Sequence, residues 1–576
     1  MNRLLPIAAF LLLPVALSWA RGKPVEPLAP DRPLASLVPT RCLVYVESAG
    51  LEPWLAQGLE HPLLRRLLAS PPAQPLLAQA SLTPAQALER ADAWLGASAL
   101  ACTADLSSGG LAFAFDPVTQ KSLLLARGRD AGSVAGGLAR VLDAVERQFG
   151  WPGALDRPQR SWSGADVWTL GEAVVARRDA LLVLANDAEL AQEALELAAD
   201  AEGQGLLTNV AFSAAYAARE QGALAWTWLA LEELEPLGDQ GFRDLRAAEK
   251  TPAMQGVFGA ELAALASAPA LAATLRLDEA GLALELQGLG AERVAALAAG
   301  ARPAEVPAEL NGPSGAEALL YRDYAAFFRE RAALFPPEAL PGFAEAITNG
   351  ALFFEGQDLG DDVLPHLSPW YRVVVRELEF PAERRPEIPL PGAALVAVLD
   401  TPEAGAQWQA AFQTIVALAN VDQAQKGQRG MRLALGREGE IELSSARFAT
   451  PRAGEGIDIR YNLEPCLAVV GRHLVVASHE ELARQLVREL AGREPGHEGR
   501  EFLRLEAAAV LAAVRANHGT LVAKKQIEEG LEGPAAEAEL ALVEGTLAWL
   551  DELALELDPA QASLSLLLSF EREEAR

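Results

Sequence analysis

Cys466, His473 and His479 bring a thiol and two imidazoles into one short stretch of the chain. Thiolate sulfur and neutral imidazole are donors that zinc favours, so these three are the candidate metal ligands. The spacing does not reinforce them. The chain has no H-E-x-x-H pair and no C-x-x-C, and the other histidines, His61, His366, His497 and His518, are scattered. A strand position and a helix-start position account for His473 and His479 without a metal. No cofactor is expected.

Other chemistry is equally sparse. The stretch EGQDLGDD (355–362) gathers carboxylates, but it lacks the alternating oxygen ligands and closing Glu of an EF-hand loop. Asp361 and Asp362 are expected instead to cap or complement a helix N-terminus. Ser314, in NGPSGAE, lacks the G-x-S-x-G spacing of a nucleophile elbow. The glycines of SSGGLAFAF lead into a strand, which makes them a turn rather than a phosphate cradle. With 78 Asp and Glu residues, carboxylates fall near one another by chance, so the sequence neither locates nor excludes a glycosidase-type acid pair.

Trp226 and Trp228 alternate along GALAWTWLALEEL and share one strand face with Leu224. Exposed, they would stack on sugar rings and form a ligand-binding ladder. Internal, they would fill a core, which is the expectation, each contributing several kcal/mol in rough terms. The stretch GTLVAKKQIEEGL (519–531) stands at the comparable place in the second half, with polar residues for both tryptophans. Cys42, Cys102 and Cys466 are few for a disulfide scaffold. Cys42 and Cys102 fall on apolar strand-like runs and are the candidate pair in an oxidising compartment, with three buried reduced thiols as the alternative.

The elements that position these residues belong to a long acidic chain. Residues 1–20, MNRLLPIAAFLLLPVALSWA, place one positive charge before an apolar run and end on Ser18-Trp19-Ala20. That is the layout of a secretory signal cleaved near Ala20. About 555 residues would remain, more than one core supports, so two or more domains are expected. The net charge of −29 repels nucleic acid and anionic membrane surfaces, and the positive residues are dispersed. Nothing after residue 20 is apolar for long enough to span a membrane.

Two stretches repeat one design. LLVLANDAELAQEALEL (181–197) and LVVASHEELARQLVREL (474–490) each run from an apolar strand through a polar break into an amphipathic helix. Asn186 with Glu189, and Ser478 with Glu481, have capping-box spacing. Residues 42–59 resemble 318–335, matching Tyr45 to Tyr321; 123–146 resemble 394–419, and 275–286 resemble 555–566. The order never changes and the offsets stay between roughly 270 and 295. The expected organisation is a signal at 1–20, a first module at 22–300, a linker at 301–316 and a duplicate module at 317–576. Each module would be α+β, a mainly antiparallel sheet with packed helices.

The phrase LVPTRCLVYVES, with Pro39, Tyr45 and Val46, resembles the opening of an exported bacterial family, domain-of-unknown-function family 3352. SSGGLAFAFDP, LLLARGRDAGS and VVARRDALLVLANDAEL resemble its later phrases, while Thr40-Arg41 stands where the family has Ala-Asp. The resemblance implies an envelope location and supplies no catalytic residues. The expected function is therefore non-catalytic binding or assembly in the periplasm or outside the cell, with an envelope protein, a polymer or an apolar ligand as partner. A carboxylate-dependent hydrolase is the rival, and it requires one cleft of acids with raised pKa values. An apolar-ligand carrier is the third reading.

Overall fold

The computed structural model describes residues 32–48, 84–151, 155–220, 223–234, 268–277, 281–289, 304–334, 340–380, 388–426, 430–448, 461–558 and 563–570, with isolated positions between them. The signal segment and His61 lie outside the described residues. The chain divides into two compact units, Met1–Val294 with Gln561–Ser565, and Ala295–Ala560 with Leu566–Arg576. It is mixed helix and antiparallel sheet, and among the described residues no helix is long and apolar enough to cross a membrane.

The first unit contains β1 (Val44–Ser48), β2 (Leu111–Asp116), β3 (Lys121–Arg127), β4 (Arg160–Trp162), β5 (Ala165–Leu170), β6 (Ala173–Arg178), β7 (Leu181–Ala185), β8 (Ala225–Leu229), β9 (Ala270–Leu277) and β10 (Gly281–Leu289). They pair antiparallel in the order β4-β5-β6-β7-β3-β2-β1-β8-β9-β10. Alternate residues of the central strands enter different cores. Leu181, Val183 and Ala185 of β7 pack under α4 (Ala188–Ala199) and α5 (Val210–Ala218). Leu182 faces the other core, built with α1 (Pro84–Leu95), α2 (Ala99–Ser107) and α3 (Ala131–Phe149).

The second unit contains β11 (Ala316–Tyr321), β12 (Leu367–Arg376), β13 (Gly392–Leu399), β14 (Met431–Glu438), β15 (Ile441–Phe448), β16 (Cys466–Val470), β17 (His473–Ala477), β18 (Glu501–Glu506), β19 (Leu550–Asp558) and, from Leu566 on, β20 (Ser563–Phe570). Their order is β14-β15-β16-β17-β13-β12-β11-β18-β19-β20, which is the order of the first sheet strand for strand. Its helices are α6 (Tyr324–Arg329), α7 (Leu340–Phe353), α8 (Pro402–Gln425), α9 (Glu480–Leu490), α10 (Ala507–Ala516), α11 (His518–Glu528) and α12 (Gly533–Trp549). One core lies under α9, with Leu482, Leu486 and Leu490 against Val396, Ala468 and Val475. The opposite face carries Leu399, Leu467 and Leu474 with Trp408 and Phe412 of α8.

The helix starts fall one residue later than the capping-box spacing indicates. Asp187 caps α4, its carboxylate accepting from the Leu190 amide at 2.9 Å. His479 occupies the same place on α9 without a side-chain cap. Asn186 and Ser478 instead reach sideways to the neighbouring strand. Asn186 Oδ1 accepts from the Ser122 amide and Ser478 Oγ from the Ala393 amide. Both bonds continue a ladder just beyond its last paired residues, Leu123 with Ala185 and Ala394 with Ala477. In the acidic stretch, Asp358 is the cap, accepting from the Gly360 and Asp361 amides.

The segment expected to be a linker is a strap bound to the second unit. Val306 bridges Gly496, the Ala308 amide donates to His473 Nε2, and the Asn311 and Gly312 amides donate to the Glu489 carboxylate. The first unit has the same device ahead of β1. Leu34–Val38 is buried, and Arg32 donates to the carbonyls of Leu197 in the last turn of α4 and of Asp200 and Gly203 just past it. Backbone approach is tighter there. A Cβ on Gly205, whose φ is +45°, would lie 2.5 Å from the Val38 carbonyl oxygen, whereas one on Gly496 would meet nothing nearer than 3.9 Å. Gly205→Ala is therefore expected to destabilise the protein by about 2–4 kcal/mol and Gly496→Ala by less than about 0.5 kcal/mol. Urea unfolding checks the pair, and equal effects would refute the strap geometry.

Candidate functional site

Two concavities in the second unit share one wall, the chain leaving β12 through Arg376, Glu377, Leu378 and Phe380. The larger, ≈ 730 Å³, lies over the polar face of α9. That helix buries Leu482, Ala483, Leu486, Val487 and Leu490, which turns Arg484, Arg488 and Glu481 outward into the cleft. Glu480, on the first turn, accepts from Ser445 Oγ and Arg447 at 2.7 Å each and from Arg484 at 2.6 Å. Arg484 and Arg488 converge on Glu438 of β14 at 2.9 and 3.1 Å. Arg376 grips Glu489 through both terminal nitrogens, at 2.5 and 3.1 Å.

This array holds its carboxylates ionised. Burial alone would raise Glu480, but the Ser445 hydroxyl and the guanidiniums of Arg484 and Arg447 bring it below the ordinary glutamate value. Burial would likewise raise Glu489, but Arg376 and the strap amides of Gly312 and Asn311 bring it below the ordinary glutamate value. Hydrogen bonds from Arg484 lead the lowering of Glu438. Among the described residues every carboxyl with a displaced titration moves downward, where a general acid needs the reverse. What the cleft can do chemically is present fixed charge, each positive group answered by a carboxylate.

The structure separates the metal candidates. Cys466 pairs with Ala477 and His473 with Val470, which puts Cys466 and His473 at opposite ends of one hairpin, about 13 Å apart along the strands. Burial, with Glu480 nearby, pushes the Cys466 thiol up to about 12, so it stays protonated. His473 is spent on the strap. His479 is engaged at both nitrogens, Nε2 donating to the Tyr461 carbonyl at 3.1 Å and Nδ1 bonded to Ser478 Oγ at 2.8 Å. No group of three metal-ligating residues occurs among the described residues.

The other candidates resolve into packing. Trp226 and Trp228 are 4% and 1% exposed, edge-on to Phe212, and form no sugar-stacking ladder. The place of β8 in the second sheet is taken by β18, EFLRLE, whereas residues 519–531 lie mostly in α11. Cys42 and Cys102 are free and belong to cores on opposite faces of the sheet, Cys102 on α2 rather than on a strand, so the expected disulfide is absent. Among the described residues Ser314 Oγ meets Arg376 and the Gly312 carbonyl.

The smaller concavity is the one the sequence reading missed. It is a groove of ≈ 350 Å³ between α10 and the ends of β11, β12 and β18. Leu378, Phe380, Leu390, Leu505 and Val510 supply bulk, and Ala509, Ala512, Ala513 and Ala516 supply none. Those alanines recur at i, i+3, i+4 and i+7, one helical stripe, and this is the signal that could have found it.

No protein-family model matches the chain and no curated protein is similar to it. Among solved structures it is similar to one titled "Structure of crystal form I of TP0453", with 10% identity over 45% of this chain and 80% of that chain and a TM-score of 0.20. At that score the likeness carries no argument about fold or function.

Two predictions follow from the buried polar groups. His473 and His479 are held below the ordinary histidine value by burial. The unfolded chain therefore takes up protons first, so their contribution is complete above about pH 6.5 and is lost as pH falls through the lowered values. His518, raised by Glu544 and Glu537, works in the opposite direction. The urea midpoint should drop between pH 7.5 and 5.5, and more steeply than in a His473→Gln/His479→Gln variant; identical slopes would refute it. Glu480→Ala leaves Arg447 and Arg484 without their shared carboxylate, and should cost about 2–3 kcal/mol by the same assay, less than a fully buried pair because both arginines are partly exposed.

Proposed function

We propose that this protein is an exported, non-catalytic binding protein of the bacterial envelope, built from two copies of one α+β module. The observation that carries the binding role is the largely apolar groove under α10, whose volume lies in the range of small-molecule pockets and whose walls are mostly leucine, valine, phenylalanine, proline and alanine, with Arg376 and Glu377 at the edge shared with the cleft. The neighbouring cleft supports a non-catalytic reading, since its displaced carboxylates are lowered and bound by arginine. Duplication is supported by the common strand order of the two sheets and by the paired Asn186 and Ser478 bonds at equivalent ladder ends. Export is supported by the layout of residues 1–20 and by the resemblance of residues 39–46 to family 3352.

The test is recovery of the tagged full-length chain from fractionated cells, followed by native mass spectrometry after gentle purification. The expected result is an envelope or periplasmic protein carrying a discrete extra mass that organic solvent releases. A bare chain recovered from the cytoplasm would overturn the proposal.

A further inference from the structure

β14 (Met431–Glu438) is an edge of the second sheet, paired with β15 alone among the described residues. The backbone groups of such a strand point by turns at its neighbour and outward. Asn420 of α8 shows which point outward. Its Oδ1 accepts from the Met431 amide at 2.6 Å and its Nδ2 donates to the Met431 carbonyl at 2.8 Å. Leu433, Leu435 and Arg437 therefore face outward as well, and the Arg437 carbonyl accepts from Arg484 at 2.7 Å. Side chains thus close both ends of the edge. Between them, the outward amides and carbonyls of Leu433 and Leu435 have no partner among the described residues. The first sheet ends differently at the same place. Its edge is β4, three residues long with Arg160 and Ser161 exposed, the short polar edge by which sheets avoid pairing with other chains. β14 has eight residues, and its Leu433 and Leu435 are 42% and 62% exposed. A Cβ on Gly436 would meet Arg484 of α9, so both leucines lie on the opposite face, where α8 packs with Ile415, Leu418 and Val421 also exposed.

An extended strand completes such an edge, and this strand is its own complement. Leu433-Ala434-Leu435 reads the same in both directions. An antiparallel copy centred on Ala434 sets each Leu433 against Leu435 of the other copy, leucine beside leucine on the α8 face. That register pairs the open backbone groups of Leu433 and Leu435 in both copies, and it stops where Asn420 and Arg484 already close the edge. No charge faces its own sign, since Arg432 falls opposite Gly436, Arg437 opposite Met431 and Glu438 opposite Gly430. Arg432 is also diagonal to Glu438 of the other copy, an opposite-charge pair within reach of a long side chain. We infer that a second copy of this chain docks antiparallel on β14, joining the two second-unit sheets about a twofold axis at Ala434. Nothing in this contact requires the groove under α10.

The test is sedimentation of the purified full-length chain over about a hundredfold range of concentration, with a reversible monomer–dimer equilibrium as the expected result. Leu435→Pro removes an outward N–H and spares the β15 ladder, because proline is accepted on the open side of an edge strand. It should weaken dimerisation at least about tenfold, the effect of two hydrogen bonds lost across the twofold axis, while the melting temperature changes little. If that variant does not fold, Ala434→Cys decides the matter. In the proposed register the two 434 positions form a non-hydrogen-bonded pair with Cα atoms about 4.5 Å apart, within disulfide reach. Oxidation should therefore link Ala434→Cys into a covalent dimer and leave Leu433→Cys unlinked, the three native cysteines being buried. A monomer at every concentration overturns the inference, and so does a dimer that a folded Leu435→Pro leaves unchanged or that Ala434→Cys fails to link. Protection of the Leu433 and Leu435 amides from exchange by a different extended chain overturns the second copy as the occupant.

Discussion

A strand buried on both faces has no face to offer water, and each unit is organised around one. Leu181–Ala185 and His473–Ala477 send alternate side chains into different cores, so each must lie inside its sheet with helices on both sides. The sheet order follows, because β7 and β17 take partners on both edges, β6 and β3 in one case, β16 and β13 in the other. The helix after each strand closes one core. The helix after β3 or β13 contributes to the other. Even the straps answer to this constraint, covering core that the helix alone leaves open.

Such a core leaves its charges at the margins, and they are managed by pairing. A chain with 78 acidic residues against 49 basic ones can surround every arginine with carboxylate. Arg376 spends its guanidinium on Glu489 and the strap, and Arg372 on Glu317 and the Pro307 carbonyl. Burying one ion costs several kcal/mol, and only a close, hydrogen-bonded partner offsets it. The cleft over α9 is thus a place where the fold compensates charge. Its acids stay ionised for the same reason that they stabilise, which is incompatible with holding a proton for transfer at neutral pH.

Much of this was legible in the sequence, and the failures have physical causes. Apolar runs, helix periodicity and the alternating stretches 275–286 and 555–566 are local, and the structure has strands at both stretches, Ala270–Leu277 with Gly281–Leu289 and Leu550–Asp558 with Ser563–Phe570. The caps were misplaced by one residue because Asn186 and Ser478 are good N-cap types that long-range ladder bonds claim instead. ARPAEVPAELNGPSG reads as a linker from its composition, yet its backbone is held by Gly496, His473 and Glu489, more than 150 positions distant. Cys42 and Cys102 looked compatible because sequence does not say on which face of a sheet a residue ends. The groove was overlooked because a row of alanines registers as helix propensity, not as space.

That row explains why the groove exists at all. Protein interiors fill to a density near 0.74, and a helix laid on a sheet normally reaches it by sending leucine-sized side chains across the interface. α9 does so with Leu482, Leu486 and Leu490. α10 presents alanine at 509, 512, 513 and 516 over Leu378 and Leu505, and the volume its side chains would have occupied stays open. Larger residues at those positions would stabilise by added burial, as they do under α9. Their absence leaves the face of α10 toward β11, β12 and β18 underfilled, where α9 fills its own.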